Sequence, residues 1–137
     1  MNTHHFTFAY WCLLIAALLP FVCAGIAKYP SMGRSRHDGG YDNVEPRAWK
    51  GKLTGWQARA DAAQANSFEG LPFFIGAVIV AHQLGANQAL VDLLSFAYVL
   101  LRLIYIALYV GGFGNARSAV WALGFFVNIA ILFVGYR

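Results

Sequence analysis

Charge is what this 137-residue sequence has least of. Its ten basic and six acidic side chains make up 12% of the chain, while 59% of the residues are apolar. That is about half the charged share of a soluble domain. Eleven of the charges lie between Lys28 and Asp61, which leaves only Glu69, Asp92, Arg102, Arg117 and Arg137 elsewhere. So few charges cannot cover the surface of a soluble globule, and that class is excluded. Cysteine is scarce too. Cys12 and Cys23 sit eleven apart in one apolar run, about 16 Å of helical rise, which is beyond disulfide reach. They are expected to be free thiols that pack. No nucleic-acid-binding motif accompanies the net charge of +4, so the basic residues are assigned to a membrane-flanking loop.

What is present is a series of long apolar runs. A spanning helix needs about 20 such residues. Phe6 to Ala27 supplies the first, without a charge. Val22-Cys23-Ala24 mimics a signal-peptidase site, but the leader Met1-Asn2-Thr3-His4-His5 has no Lys or Arg and the run is long, so a retained helix is expected. A second helix is predicted from near Thr54, starting in water, entering the bilayer near Ala65 and running to Leu84. A third covers Leu90 to Gly111, with Asp92 in its first turn, where a carboxylate suits the positive helix end. The Gly111-Gly112-Phe113-Gly114-Asn115 cluster should break it. The fourth covers 117–136. The expected fold is an all-α integral membrane protein, one domain forming a four-transmembrane-helix up-down bundle.

Six basic residues in the loop 28–58, against none in Gly85–Ala89, place that loop in the cytoplasm, with both termini outside. Trp49, Trp56 and Trp121 suit an interfacial belt on that side, and Trp11 the opposite face. The glycine-rich stretch 33–40 is expected to be flexible.

Ionisable residues inside spans are costly and mark sites. Glu69 and Arg102 sit about 15 Å from their respective loop ends on helices two and three. They share a depth, so an ion pair between them is expected. Asn66 and Glu69 lie on one helix face, as do Arg102, Tyr105 and Tyr109. Arg117-Ser118 opens helix four on the same side. Together they point to an inner-half cavity for an anionic, hydrogen-bonding ligand. Pro72 cannot donate to the carbonyl of Phe68, which frees an acceptor at the same level. His4-His5 lacks a third metal ligand. His82 is expected to be an interfacial polar residue rather than a base. Gly51-Lys52-Leu53-Thr54-Gly55 has GxxxG spacing but lies in a polar loop. Lys28 fits snorkelling to headgroups, or reaching a neighbour's ligand.

Gln64-Ala65-Asn66-Ser67-Phe68-Glu69-Gly70-Leu71-Pro72 resembles the second-helix signature of the MAPEG proteins (membrane-associated proteins in eicosanoid and glutathione metabolism). Arg102-Leu103-Ile104-Tyr105 with Tyr109 is similar to the third-helix pattern. The resemblance covers most of the chain from Thr54 onward and suggests a bacterial-type member. It implies a homotrimer with glutathione, as co-substrate, held between adjacent subunits. Glutathione would be bound by Arg59, Gln64, Asn66, Glu69, Arg102, Tyr105 and Tyr109. Arg117 would favour the thiolate, with Ser118 donating to the same sulfur, and no metal is implied. The electrophile would be a lipophilic molecule from the lipid phase. The arginine that opens the family signature falls on Ala62 here. Arg59, one turn earlier, could reach part of the same space, and Ile104 stands where some members carry a second helix-three arginine.

Two functions follow. One is a glutathione-dependent membrane transferase or peroxidase acting on lipophilic electrophiles. The other is a non-catalytic bundle that binds a lipid or a partner, with Glu69–Arg102 as a structural lock. A transporter is weaker, because one chain has too few polar spans to line a pathway. A bacterial cytoplasmic membrane is the simplest location.

Overall fold

The computed structural model describes residues 5–136; the leader residues 1–4, including His4, and Arg137 lie outside the described residues. Four helices are long and apolar enough to cross a membrane: α1 (Phe8–Lys28), α3 (Gly55–Gln83), α4 (Gln88–Gly111) and α5 (Gly114–Phe133). A short α2 (Pro46–Lys50) lies in the loop between α1 and α3.

The closest packing is α1 against α3, and the residue sizes explain it. The buried stripe of α1 includes Ala9, Cys12, Ala16, Cys23 and Ala27, and that of α3 includes Ala60, Ala63, Ser67, Ala77 and Ala81. Lipid tails are as apolar as leucine, so helices in a bilayer associate through close van der Waals packing, which small side chains permit. Cys12 and Cys23 are both free and buried on this stripe. The larger core side chains, Phe74, Val78, Val91, Tyr98 and Ile131, fill the space between α3, α4 and α5.

The helix ends are tied across the bundle. At the end bearing the basic loop, α3 reaches over two neighbours whose last carbonyls lack intrahelical partners. Gln57 Nε2 donates to Ala27 O of α1 at 2.9 Å. Arg59 Nε donates to Val110 O of α4 at 2.9 Å. At the opposite end, Asp92 Oδ1 accepts from the backbone N–H of Ala9 at 2.9 Å and from Gln88 Nε2 at 2.7 Å. The carboxylate therefore serves the N-terminus of α1 rather than that of its own helix, which Asn87 caps through the N–H of Leu90 at 3.1 Å.

Two further expectations need correction. The α4–α5 break is narrower than the glycine cluster suggests. Gly112 alone, at φ +84°, turns the chain, and the N–H of Phe113 closes on Leu108 O at 2.9 Å. One left-handed residue satisfies the last carbonyls, so α5 starts at Gly114 and includes Asn115. Within the stretch 33–40 lies a 3₁₀ turn at Arg36–Asp38. A Cβ at Gly40 would collide with the carbonyl oxygen of Arg34. Trp49 lies inside this loop instead of at an interface. It is 7% exposed, donates Nε1–H to Gly39 O at 3.3 Å and meets Tyr41 edge-on. In the same loop the N–H of Val44, 2.9 Å away, holds the Asp42 carboxyl below its ordinary range, with lesser help from Glu45 N–H and Arg36.

Candidate functional site

Arg102 is the centre of the polar residues on α3 and α4. It is 5% exposed, and its guanidinium donates Nη1 to Asn66 Oδ1 at 3.0 Å and Nη2 to Ser67 Oγ at 3.1 Å. Its Cζ lies 4.3 Å from the centre of the Tyr105 ring. The expected ion pair with Glu69 is not formed. Among the described residues the ion pairs are Arg36–Asp42 and Lys50–Asp61, both in or beside the basic loop. The reason is rotational. Ser67 and Glu69 are about 200° apart around an α-helix. With Ser67 facing inward, Glu69 faces outward and is exposed. The lock assigned to Glu69–Arg102 therefore has no direct contact behind it. A guanidinium is buried instead against neutral oxygens and an aromatic ring.

From Arg102 a ladder of cations and rings runs toward the start of α5. Tyr105 meets Tyr109 edge-on, with ring centres 5.6 Å apart at 83°. The Cζ of Arg117 lies 4.2 Å over the Tyr109 ring. The spacing i, i+3, i+7 stacks Arg102, Tyr105 and Tyr109 on one face of α4, and the short Gly112–Phe113 link brings Arg117 back onto it.

The remaining predicted residues are placed as follows. Arg59 sits at the C-terminal end of α4, beside Gly112. Gln64 Oε1 accepts from Lys50 Nζ at 2.7 Å, and the same ammonium pairs with Asp61 at 2.7 Å. Ser118 is exposed and its hydroxyl donates to Gly114 O at 3.1 Å, within its own helix. Lys28 Nζ lies 4.2 Å over the Tyr41 ring. His82 stacks on Tyr10 at the far end and contacts Thr7 and Val78. Among the described residues, no three His, Cys, Asp or Glu side chains are grouped to hold a metal.

A cavity of about 150 Å³ lies between α3, α4 and α5. Glu69, Arg102 and Tyr105 line it toward the basic loop. Its other end is Tyr98 and Asn128, with Phe73, Trp121 and Phe125 along one side. Sequence reasoning missed Ser67, Tyr98 and Asn128. Asn128 had a signal, since it is a primary amide well inside an otherwise apolar run. A scan for ionisable groups passes over it.

Chemically, the site offers an unneutralised guanidinium at bilayer depth, a second one held on an aromatic face, and a carboxylate open on the surface. Such a set suits a ligand with both carboxylate and ammonium groups. The sequence model of the MAPEG family matches residues 8–136. Comparison with curated proteins and with solved structures finds no match.

Proposed function

The chain belongs to the MAPEG family, and on that premise we propose that it is a glutathione-dependent membrane enzyme, a transferase or peroxidase acting on lipophilic electrophiles. The family includes glutathione-dependent transferases and peroxidases, and the four apolar helices make this a multi-pass membrane protein. The single observation that carries the reading is Arg102, which is 5% exposed and has no carboxylate partner among the described residues. A buried cation without an anion is costly. Burying it is explained when an anionic ligand completes the pair.

In this reading glutathione lies along the exposed face of α3, α4 and the start of α5, between adjacent subunits of a homotrimer. Its ammonium pairs with the open carboxylate of Glu69. Its carboxylates take the donors left over on Arg102 and Arg59, with Asn66, Gln64, Tyr105 and Tyr109 as hydrogen-bonding neighbours. Arg117 stands beside the sulfur. A guanidinium there stabilises the thiolate over the thiol and so raises the fraction of the nucleophilic form. Ser118 donates to the same sulfur once it releases Gly114 O. The thiolate attacks an electrophile that arrives from the lipid. In transfer a carbon–sulfur bond forms as the leaving group departs from that carbon with its electron pair. In peroxide reduction the thiolate attacks one oxygen, the oxygen–oxygen bond breaks to release the alcohol, and a second glutathione reduces the resulting sulfenic acid to give the disulfide and water. The basic loop faces the cytoplasm, and the membrane is the bacterial cytoplasmic one.

A second reading, a non-catalytic bundle that binds a lipid or a partner, is favoured by Ala62, where the family signature carries arginine. Glutathione titrated into the detergent-solubilised protein separates the two. The enzyme reading predicts thiolate absorbance in the ultraviolet difference spectrum. It further predicts that Arg117→Ala abolishes that absorbance while keeping much of the affinity. No binding at millimolar glutathione sinks it.

A further inference from the structure

The cavity between α3, α4 and α5 is too small for the ligand of the reading above. A drug-sized ligand, or a tripeptide, needs about 300 Å³ or more. This cavity has about 150 Å³, the size known to accept one benzene ring in an apolar protein interior. Its walls suit such a ring. Phe73, Phe125 and Trp121 form a near-parallel stack, with Phe73–Phe125 at 5.6 Å and 20° and Trp121–Phe125 at 5.6 Å and 11°. All three are exposed, so this side of the cavity opens on the surface of the chain.

The inner end is polar and incompletely satisfied. Asn128 is 3% exposed, and its Oδ1 is buried without a hydrogen-bond partner. Tyr98, 4% exposed, directs its hydroxyl proton to Gly70 O at 3.3 Å, and the Asn128 side chain lies beside its phenolic oxygen. Glycines on both sides make room for this tyrosine. A Cβ at Gly70 would come 3.0 Å from its hydroxyl, and one at Gly124 would lie 3.6 Å from its ring. The free capacity at this end is therefore for accepting hydrogen bonds. A buried amide oxygen left unpaired is costly, and water is scarce at this depth. Ser95 Oγ is the other unpartnered buried oxygen among the described residues, but it does not line the cavity.

We propose that this cavity is a binding site for a single planar ring that carries a hydroxyl group, a phenol, with the ring beside Phe73, Phe125 and Trp121 and the hydroxyl donating to Asn128. The cavity shares Glu69, Arg102 and Tyr105 with the proposed glutathione site and extends beyond it to Tyr98 and Asn128; the inference holds whether or not glutathione binds.

The test uses the full-length protein in detergent micelles. 4-Fluorophenol and fluorobenzene are titrated by fluorine NMR against empty micelles. One net hydrogen bond predicts that 4-fluorophenol binds about five- to tenfold more tightly than fluorobenzene. Asn128→Leu should retain fluorobenzene binding, bring the ratio to about one, and melt no lower than wild type. Gly124→Val, which places a side chain in the cavity, should abolish binding of both. The proposal is overturned by a wild-type ratio near one, by a preference that survives Asn128→Leu, by binding that survives Gly124→Val, or by no saturable binding above the micelle background.

Discussion

The two ends of the bundle use polar side chains in opposite ways. At the end away from the basic loop, the ionisable side chains His82 and Asp92 are bonded within the fold. Val78 O can only accept, so the His82 Nδ1 that meets it at 2.8 Å carries a proton, and in the neutral ring Nε2 accepts from the Thr7 hydroxyl at 3.1 Å. Asp92 takes one proton from the backbone of α1 and another from Gln88. At the basic end, capacity is left over. A guanidinium has five N–H donors. Arg102 spends two of them within the chain, Arg59 spends one, and Arg117 rests on a ring. A closed network fastens helices, whereas an open one is a site waiting for acceptors.

That contrast can be broken experimentally, and the largest expected effect is at the closed end. Asp92→Ala removes the acceptor for the N–H of Ala9 and should cost about 1–2 kcal/mol of stability, as lost helix N-caps do. Glutathione affinity should not change; a thermal melt and a binding titration on the same preparation check both halves. Tyr109→Leu should do the reverse. It removes a contact worth about 1 kcal/mol and should lower thiolate absorbance about fivefold by freeing Arg117, with a melt nearly unchanged. Gly70→Ala should shift stability by under about 1 kcal/mol, because the new Cβ meets the end of Tyr98 at 3.0 Å and the ring can give way. Its signature is a changed tyrosine near-ultraviolet signal. The smallest effect concerns Asp42, whose folded carboxyl titrates below its unfolded value. Its contribution is complete above the unfolded pKa of about 4 and is lost as pH falls through the lower, folded value. Trp49 fluorescence, followed from pH 7 downward, should stay constant until below about pH 4 and then move toward that of an exposed indole.

The same contrast explains what the sequence could and could not convey. Four spans were legible because bilayer thickness sets a length and lipid sets a composition. Arg102 was legible as a buried ion for the same reason. Its partners were not. Depth along a helix follows from counting residues, but the rotation that brings Ser67 inward and turns Glu69 outward is set by α1 packing on the small-residue stripe of α3. Asp92 was read against its own helix because its true partner, Ala9, lies 83 positions away. Trp49 was assigned to an interface because nothing local announces that Gly39 and Tyr41 will enclose it. Asn128 was visible as an amide in an apolar run, yet its meaning depends on the cavity that three helices form around it.

The central claim is that Arg102 is kept as an uncompensated cation for an anionic ligand, rather than as part of a lock. Thermal melting of wild type and Arg102→Met, each with and without millimolar glutathione, tests this directly. Without ligand the variant should melt at or near the wild-type temperature, since an apolar side chain of similar length replaces a buried charge. Glutathione should then raise the wild-type midpoint and leave that of Arg102→Met where it was. A variant that melts many degrees lower without ligand, or one that glutathione stabilises as much as wild type, would contradict the account.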